Sequence, residues 1–251
     1  MGRIIAVANQ KGGVAKTTSV AALAAAFAER GRSVLTVDLD PQACLTFSLG
    51  FDPDQLEPTV HDVLVGRCGL DESVRSVDDE EFDLVPSNID LAGAEAYLLT
   101  RTGREYALQQ CLDEMDRGYD LTLLDCPPSL GVLTINALTA ADEVVIPMQC
   151  ETLSHRGVGQ LLSTIDDVRR ITNKKLKVNG LLPTMFDGRT THSREVLEDV
   201  GSRYRLRVLD PPVKKSVRFA EAPREGRSIL RFAPSHPGAK AYRALAQAIL
   251  P

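Results

Sequence analysis

The stretch from residue 3 to residue 18 constrains the fold more than any other part of the chain: Arg-Ile-Ile-Ala-Val-Ala-Asn-Gln-Lys-Gly-Gly-Val-Ala-Lys-Thr-Thr. Ile4, Ile5 and Val7 form a short apolar, β-branched run suited to a buried strand of a parallel sheet. Gly12 and Gly13 interrupt it, and the alanine-rich residues 19–30 have the propensity to continue as helix. Strand, glycine loop and helix in that order make the frame of a phosphate-binding loop. Glycines let backbone N–H groups approach phosphate oxygens, and the opening helix adds unpaired N–H groups and the positive end of its dipole. Within that frame Lys16 can reach the β- and γ-phosphates of a nucleotide. Thr17 can place a hydroxyl on Mg²⁺, and Thr18 is near enough for a further phosphate contact. The ordinary alternative is a plain glycine turn with solvated lysines.

The common pattern G-x-x-x-x-G-K-S/T does not fit letter by letter, because Gln10 and Ala15 stand where its two glycines belong. The string Lys11-Gly12-Gly13-Val14-Ala15-Lys16-Thr17-Thr18 instead resembles the deviant Walker A loop K-G-G-x-G-K-S/T of the ParA/MinD superfamily. That resemblance implies that Lys11 crosses a dimer interface to the partner's nucleotide. Ala15 departs from the commonest letter. Its methyl is tolerable only where φ is negative and the facing subunit leaves room, so tight dimer closure is the property it touches.

A second strand is expected over residues 33–37, ending on Asp38-Leu39-Asp40-Pro41-Gln42. Two carboxylates two residues apart leave a strand on one side, at the carboxyl edge where open α/β sheets bind ligands. Asp38 would sit nearer the Mg²⁺ shell, and Asp40 is placed to orient an attacking water. A capping acid and a turn acid before proline are the bland alternative. V-D-x-D-P-Q after this strand is similar to ParA-type proteins, in which the second carboxylate supports hydrolysis; by motif that is Asp40.

Residues 119–125 give an apolar strand that ends on Asp125, the Walker B arrangement, able to hold Mg²⁺ opposite Thr17. A helix cap is the competing role for such an acid. Pro127 and Pro128 can stiffen the following loop, and D-C-P-P-S-L resembles ParA proteins. Between these landmarks, residues 60–65 and 89–99 have helical spacing. Residues 82–85 read as strand, 78–81 as a solvated loop and 104–115 as an amphipathic helix. Pro86-Ser87-Asn88 bears a weak likeness to the family segment after that strand. Strands are expected at 141–147 and 177–185, and a long helix at 153–171. The resemblance places Glu151 near a dimer interface, and Thr184 and Met185 beside an adenine; plain loop packing is the alternative for the last two.

At 251 residues the chain accommodates one large domain, residues 1–251, with a mostly parallel twisted α/β sheet and helices on both faces. No apolar run approaches the ~20 residues of a membrane span. Met1-Gly2-Arg3 leads straight into a strand, so no signal peptide or N-terminal DNA-reading domain is expected, and a cytoplasmic location follows. Five cysteines without C-x-x-C spacing are expected as reduced thiols, mostly buried; a shared iron–sulfur cluster would need two per subunit.

Net charge is −5, yet it is segregated: residues 52–95 hold thirteen acids against two arginines, and residues 214–231 hold six bases against Glu221 and Glu225. Arg189, Lys214, Lys215, Arg218, Arg224, Arg227 and Arg231 therefore suggest contacts with DNA phosphates, without aromatic interleaving or a recognition helix. A solvated basic face is the alternative. ParA-type ATPases are similar in carrying DNA-contacting bases in these two regions. Residues 210–223 resemble the family's I-P-R-x-V-R-x-x-E-A-P, with Lys214 where its first proline belongs. A terminal helix over 238–250, with Tyr242, Leu245, Ala246 and Ile249 on one face, resembles the family ending and reads as packed on the core. A membrane-targeting helix would need bulkier apolar residues with lysines.

The resemblance spans nearly the whole chain and implies a ParA/Soj-type ATPase of the short form. It implies ATP and Mg²⁺ as ligands, weak intrinsic hydrolysis, an ATP-dependent homodimer, sequence-independent binding to double-stranded DNA, a ParB-like activator and association with the nucleoid. The rivals are a membrane- or cargo-positioning ATPase of the MinD kind and a ligase of the dethiobiotin-synthetase kind.

Overall fold

The computed structural model describes residues 2–150 and 154–250, the side chains at 78, 154, 155, 191 and 192 excepted. Its seven strands are β1 Arg3–Val7, β2 Val34–Asp38, β3 Arg75–Val77, β4 Phe82–Val85, β5 Leu121–Asp125, β6 Glu143–Gln149 and β7 Lys177–Thr184. They lie in the order β3-β4-β2-β5-β1-β6-β7. Every neighbouring pair is parallel except β3 with β4. β1 and β2 both flank β5, so the carboxyl ends that carry the loop after Val7, Asp38 and Asp125 come out side by side.

The helices run α1 Lys16–Ala28, α2 Cys44–Ser48, α3 Val60–Leu64, α4 Leu70–Ser73, α5 Leu91–Leu99 and α6 Ala107–Asp113. After β5 come α7 Val132–Ala140, α8 Ser154–Ile171, α9 Thr191–Tyr204, α10 Arg218–Glu221, α11 Ile229–Phe232 and α12 Pro237–Ile249. Alternation along the strands divides the core. Ile4, Ala6, Leu35, Val37 and Leu124 face one layer, packed with Leu91, Leu98, Leu133, Val158 and Val200. Ile5, Val7, Val34, Leu121 and Leu123 face the other, packed with α1, Leu45, Ile229 and α12.

The alanines of α1 are the reason the second layer closes tightly. With Ala21, Ala22, Ala24, Ala25 and Ala26 all buried, α12 approaches closely enough for Ser19 Oγ and Tyr242 OH to lie 2.9 Å apart. Tyr242, Leu245, Ala246 and Ile249 are all buried there, as the terminal stripe predicts. Among the described residues no helix is long and apolar enough to cross a membrane.

Several local expectations change. β3 is not legible in the sequence; three residues half turned to solvent carry no alternation, and pairing with β4 creates the strand. Residues 78–81 are not a solvated loop: a 3₁₀ turn at Asp78–Glu80 buries Glu80 completely. Residues 104–115 split into a 3₁₀ turn, Arg104–Tyr106, and the shorter α6. The fifth helix opens at Leu91 rather than 89, leaving Ile89 exposed. β6 begins two residues later than 141 because Asn173 Nδ2 donates to the carbonyls of Leu138 and Ala141, at 3.0 and 2.7 Å. The five thiols are free, but only Cys126 and Cys150 are buried; Cys44 is exposed and Cys68 and Cys111 are half-buried.

Candidate nucleotide site

The loop between β1 and α1 is pinned from both sides. Asn9 Nδ2 donates to the Pro147 carbonyl at 2.7 Å, and Asn9 Oδ1 accepts from the Lys11 backbone at 3.1 Å. Thr184 Oγ1, at the end of β7, donates to the Val14 carbonyl at 3.0 Å. Gly157 brings α8 against this loop: a Cβ on it would lie 3.2 Å from Asn9 Oδ1 and 3.8 Å from Lys11 Cβ. Gly12 and Gly13 lie exposed at the tip, Gly13 in the left-handed region at φ 71°.

Ala15 contradicts the expectation of a negative φ: it sits at φ 64°, ψ 37°, immediately before α1. Its methyl thus occupies a left-handed conformation that costs a non-glycine residue roughly 1–2 kcal/mol. The loop tolerates this strain because Thr184, Asn9 and the first turn of α1 fix the backbone on both sides.

Three side chains, Lys16 expected at the phosphates and Thr17 and Asp125 expected on Mg²⁺, converge. Lys16 is buried, its Nζ 3.4 Å from the Lys11 carbonyl, and burial pulls its ammonium below the usual lysine range. Thr17 Oγ1 donates to Asp125 Oδ2 at 2.7 Å. Asp125 Oδ1 is buried with no hydrogen-bond partner among the described residues, an unsatisfied carboxylate oxygen beside a hydroxyl. Burial first, and then the charge of Asp38, pushes the Asp125 carboxyl well above its ordinary range. Asp38 is paired with Asp125 across β2 and β5 and is itself pushed up to about 6, chiefly by burial. A divalent cation would satisfy the orphaned oxygen and lower the cost of two buried acids, so the donor set fits Mg²⁺. Asp38 itself has both oxygens engaged, Oδ1 by the Asp40 N–H and Oδ2 by Thr46. Asp40 lies beside it, buried, its Oδ1 accepting from the Gln42 N–H at 2.9 Å.

A cleft of about 230 Å³ opens next to Ala15 and Thr18, walled by Thr184, Met185, Lys214, Lys215 and Phe219. Thr184 and Met185, expected beside a base, do line it, with Met185 held at φ 49°. Lys214 and Lys215, expected on a DNA face, line it too. Tyr242 and Phe219, in edge-to-face contact at 6.1 Å between centroids, also line it; sequence places Tyr242 only on the packed face of the terminal helix and does not single out Phe219. The only signal for Phe219 was an aromatic residue embedded in a basic string.

Of the other bases, most are already paired. Arg189 forks onto Asp187 at 3.0 and 3.1 Å, with its side chain 91% exposed. Arg218 bonds Glu221 at 2.9 Å, Arg227 bonds Asp79 at 2.8 Å, and Arg231 pairs with Glu81. Arg224 is exposed and, like Lys214 and Lys215, has no carboxylate partner among the described residues. Glu151 lies outside the described residues.

A family model described as an AAA domain matches residues 2–178. The sporulation initiation inhibitor protein Soj of Bacillus subtilis is 42% identical over 99% of this chain and 98% of its own. The chromosome partitioning protein ParA of Myxococcus xanthus is 39% identical over 100% of this chain and 88% of its own. Among solved structures, one from Mycobacterium smegmatis named cobyrinic acid a,c-diamide synthase, with bound ADP and magnesium, superposes with a TM-score of 0.89. It is 56% identical over 100% of this chain and 94% of that one.

Proposed function

This chain belongs to the Soj/ParA family of partition ATPases, and we propose that it works as an ATP-gated, dimerising DNA-binding switch. The observation that carries the reading is the pair Thr17 and Asp125, meeting at 2.7 Å with Asp125 Oδ1 left unsatisfied at the foot of a glycine loop. Thr17 and Asp125 would hold Mg²⁺, with Asp38 behind them. The ion supplies charge neutralisation at the β- and γ-phosphates. Backbone N–H groups of residues 12–18 cradle the phosphates, Lys16 adds its charge, and Thr184 and Met185 border the base. Asp40 orients the water that attacks, and hydrolysis is slow until an activator arrives.

Lys11 would reach the nucleotide of a second copy, so that ATP closes a homodimer, with Glu151 near the join. Arg189, Lys214, Lys215, Arg218, Arg224 and Arg227 then bind the backbone of double-stranded DNA without reading sequence. Surface ion pairs such as Arg227 with Asp79 are worth little, so phosphates can displace them. Hydrolysis, speeded by a ParB-like partner, releases the DNA. The cycle places the protein on the nucleoid in the cytoplasm.

The test is fluorescence anisotropy with unrelated duplex DNA, with ATP, ADP or no nucleotide, across a salt series. Binding only with ATP, fading with salt and lost in Arg218→Glu, is the expected result; no binding under any nucleotide would sink the reading.

Two other readings are tested alongside. The name of the Mycobacterium smegmatis structure favours an ATP-dependent amide synthase. Amidation of cobyrinic acid with ATP and glutamine would establish that reading directly. A MinD-like membrane cycle needs an apolar helix face, and that of α12 is buried against α1; liposome flotation with ATP is its test.

A further inference from the structure

Four buried residues from three segments close a ring of hydrogen bonds behind the expected water-orienting carboxylate. The Asp40 N–H donates to Asp38 Oδ1 at 3.1 Å. Thr46, in α2, donates to Asp38 Oδ2 twice, from its backbone at 2.9 Å and from Oγ1 at 2.8 Å. Thr46 Oγ1 in turn accepts from the Ser87 N–H at 2.9 Å. Ser87 Oγ then donates to the Asp40 carbonyl at 2.8 Å and closes the ring. Asp38, Thr46 and Ser87 are fully buried, and Asp40 is 9% exposed.

The ring grips the Asp40 peptide from both ends, its N–H held through Asp38 and its carbonyl held by Ser87. Asp40 Oδ1 is occupied by the Gln42 N–H, and among the described residues Oδ2 accepts nothing. The backbone is fixed, one oxygen is used to set the rotamer, and one is left over. Buried hydrogen bonds are strong where the dielectric is low, and a satisfied network holds a single geometry. Asp38, by contrast, has no free oxygen directed at an ion: its carboxylate accepts three hydrogen bonds, which makes it a hub.

We infer that Thr46 and Ser87 are positioning residues for hydrolysis, acting with Asp38 to hold Asp40 so that its Oδ2 meets the attacking water. The inference rests on the reading that Asp40 orients that water. Thr46 accepts and donates through one hydroxyl, so valine breaks two links of the ring and serine keeps both. Ser87→Ala removes the single bond to the Asp40 carbonyl and little else. Misplacement of a reacting group by ~1 Å can cost ~100-fold in rate, so loss of one tether is expected to lower the rate about tenfold.

The experiment is single-turnover ATP hydrolysis by the full chain, with nucleotide affinity and thermal midpoint measured on each variant. Expected results are a kcat about tenfold lower in Thr46→Val and Ser87→Ala, nucleotide affinity within about twofold of the parent, and recovery in Thr46→Ser. Parental turnover in both variants, with Asp40→Ala inactive, would overturn the inference and leave the Asp40 reading standing. Parental turnover in Asp40→Ala would overturn that reading itself. Nucleotide affinity and thermal midpoint falling in step with kcat in Ser87→Ala would also overturn the inference, since a merely structural hydroxyl behaves that way.

Discussion

Glu80 accepts two hydrogen bonds from Ser228, 148 residues away, from its N–H at 2.6 Å and from its Oγ at 2.7 Å. The pair is buried, and it draws Asp79 against Arg227 and Glu81 against Arg231. Burial pushes the Glu80 carboxyl up, and the two Ser228 bonds pull it partly back. The acid-rich and base-rich segments are thereby clasped together at the mouth of α11.

Removing that carboxylate leaves a buried N–H and a buried hydroxyl without their acceptor. Glu80→Ala is expected to destabilise the fold by about 1–3 kcal/mol, read as a lower urea midpoint at unchanged slope. Glu80→Gln, which keeps one acceptor oxygen, should fall between the two.

The flanking ion pairs compete with any polyanion for the same guanidinium groups. On the DNA-binding reading, Asp79→Asn with Glu81→Gln frees Arg227 and Arg231. Affinity for duplex DNA with ATP should rise, and the slope of log affinity against log salt should steepen by up to about 2. An unchanged slope would place neither arginine on the DNA.

Ala15 sits in a conformation that glycine adopts without cost. Ala15→Gly relieves that strain but loosens the unfolded chain, and the first effect is the larger. A gain of about 1 kcal/mol is expected, raising Tm by about 2–4 °C in calorimetry. Gly13→Ala, at φ 71° with nothing near its Cβ position, should move Tm down by a similar amount through backbone strain alone.

Arg243 ties α12 to α1. Its Nε and Nη2 fork onto Glu29 at 2.6 and 2.8 Å, and Nη1 reaches the Pro234 carbonyl at 2.7 Å. The Arg243 hydrogen bond holds the Glu29 carboxyl below its ordinary value of 4.5. A depressed carboxylate stabilises the fold above its unfolded pKa, and that stability disappears as pH falls through the folded value. Between roughly pH 5 and pH 3 the parent protein should therefore lose more stability than Arg243→Ala, and the two curves should converge in acid. Parallel denaturation curves would show that the fork contributes nothing.

Long-range pairing explains where sequence reading succeeded and failed. β1, β2 and β5 carry dense apolar runs that end on a glycine loop or an acid, so their identity and their shared carboxyl edge are legible from one segment at a time. The expected meeting of Thr17 with Asp125 follows from that edge. β3 and Glu80 carry no local signal, because each takes its structure from a partner elsewhere: β4 for the strand, Ser228 for the acid. Charge segregation in the sequence was real, but it described two segments that neutralise one another as much as a free basic face.

The sequence by itself determined the α/β frame, the phosphate loop and the identity of its acids, since hydrophobic period and glycine placement act within a few residues. Only the tertiary structure decided the left-handed Ala15, the joint wall of Lys214, Lys215, Phe219 and Tyr242, and the ring through Asp38, Thr46, Ser87 and Asp40. Those depend on groups tens to hundreds of residues apart whose hydrogen bonds form only when the sheet edge brings them within about 3 Å.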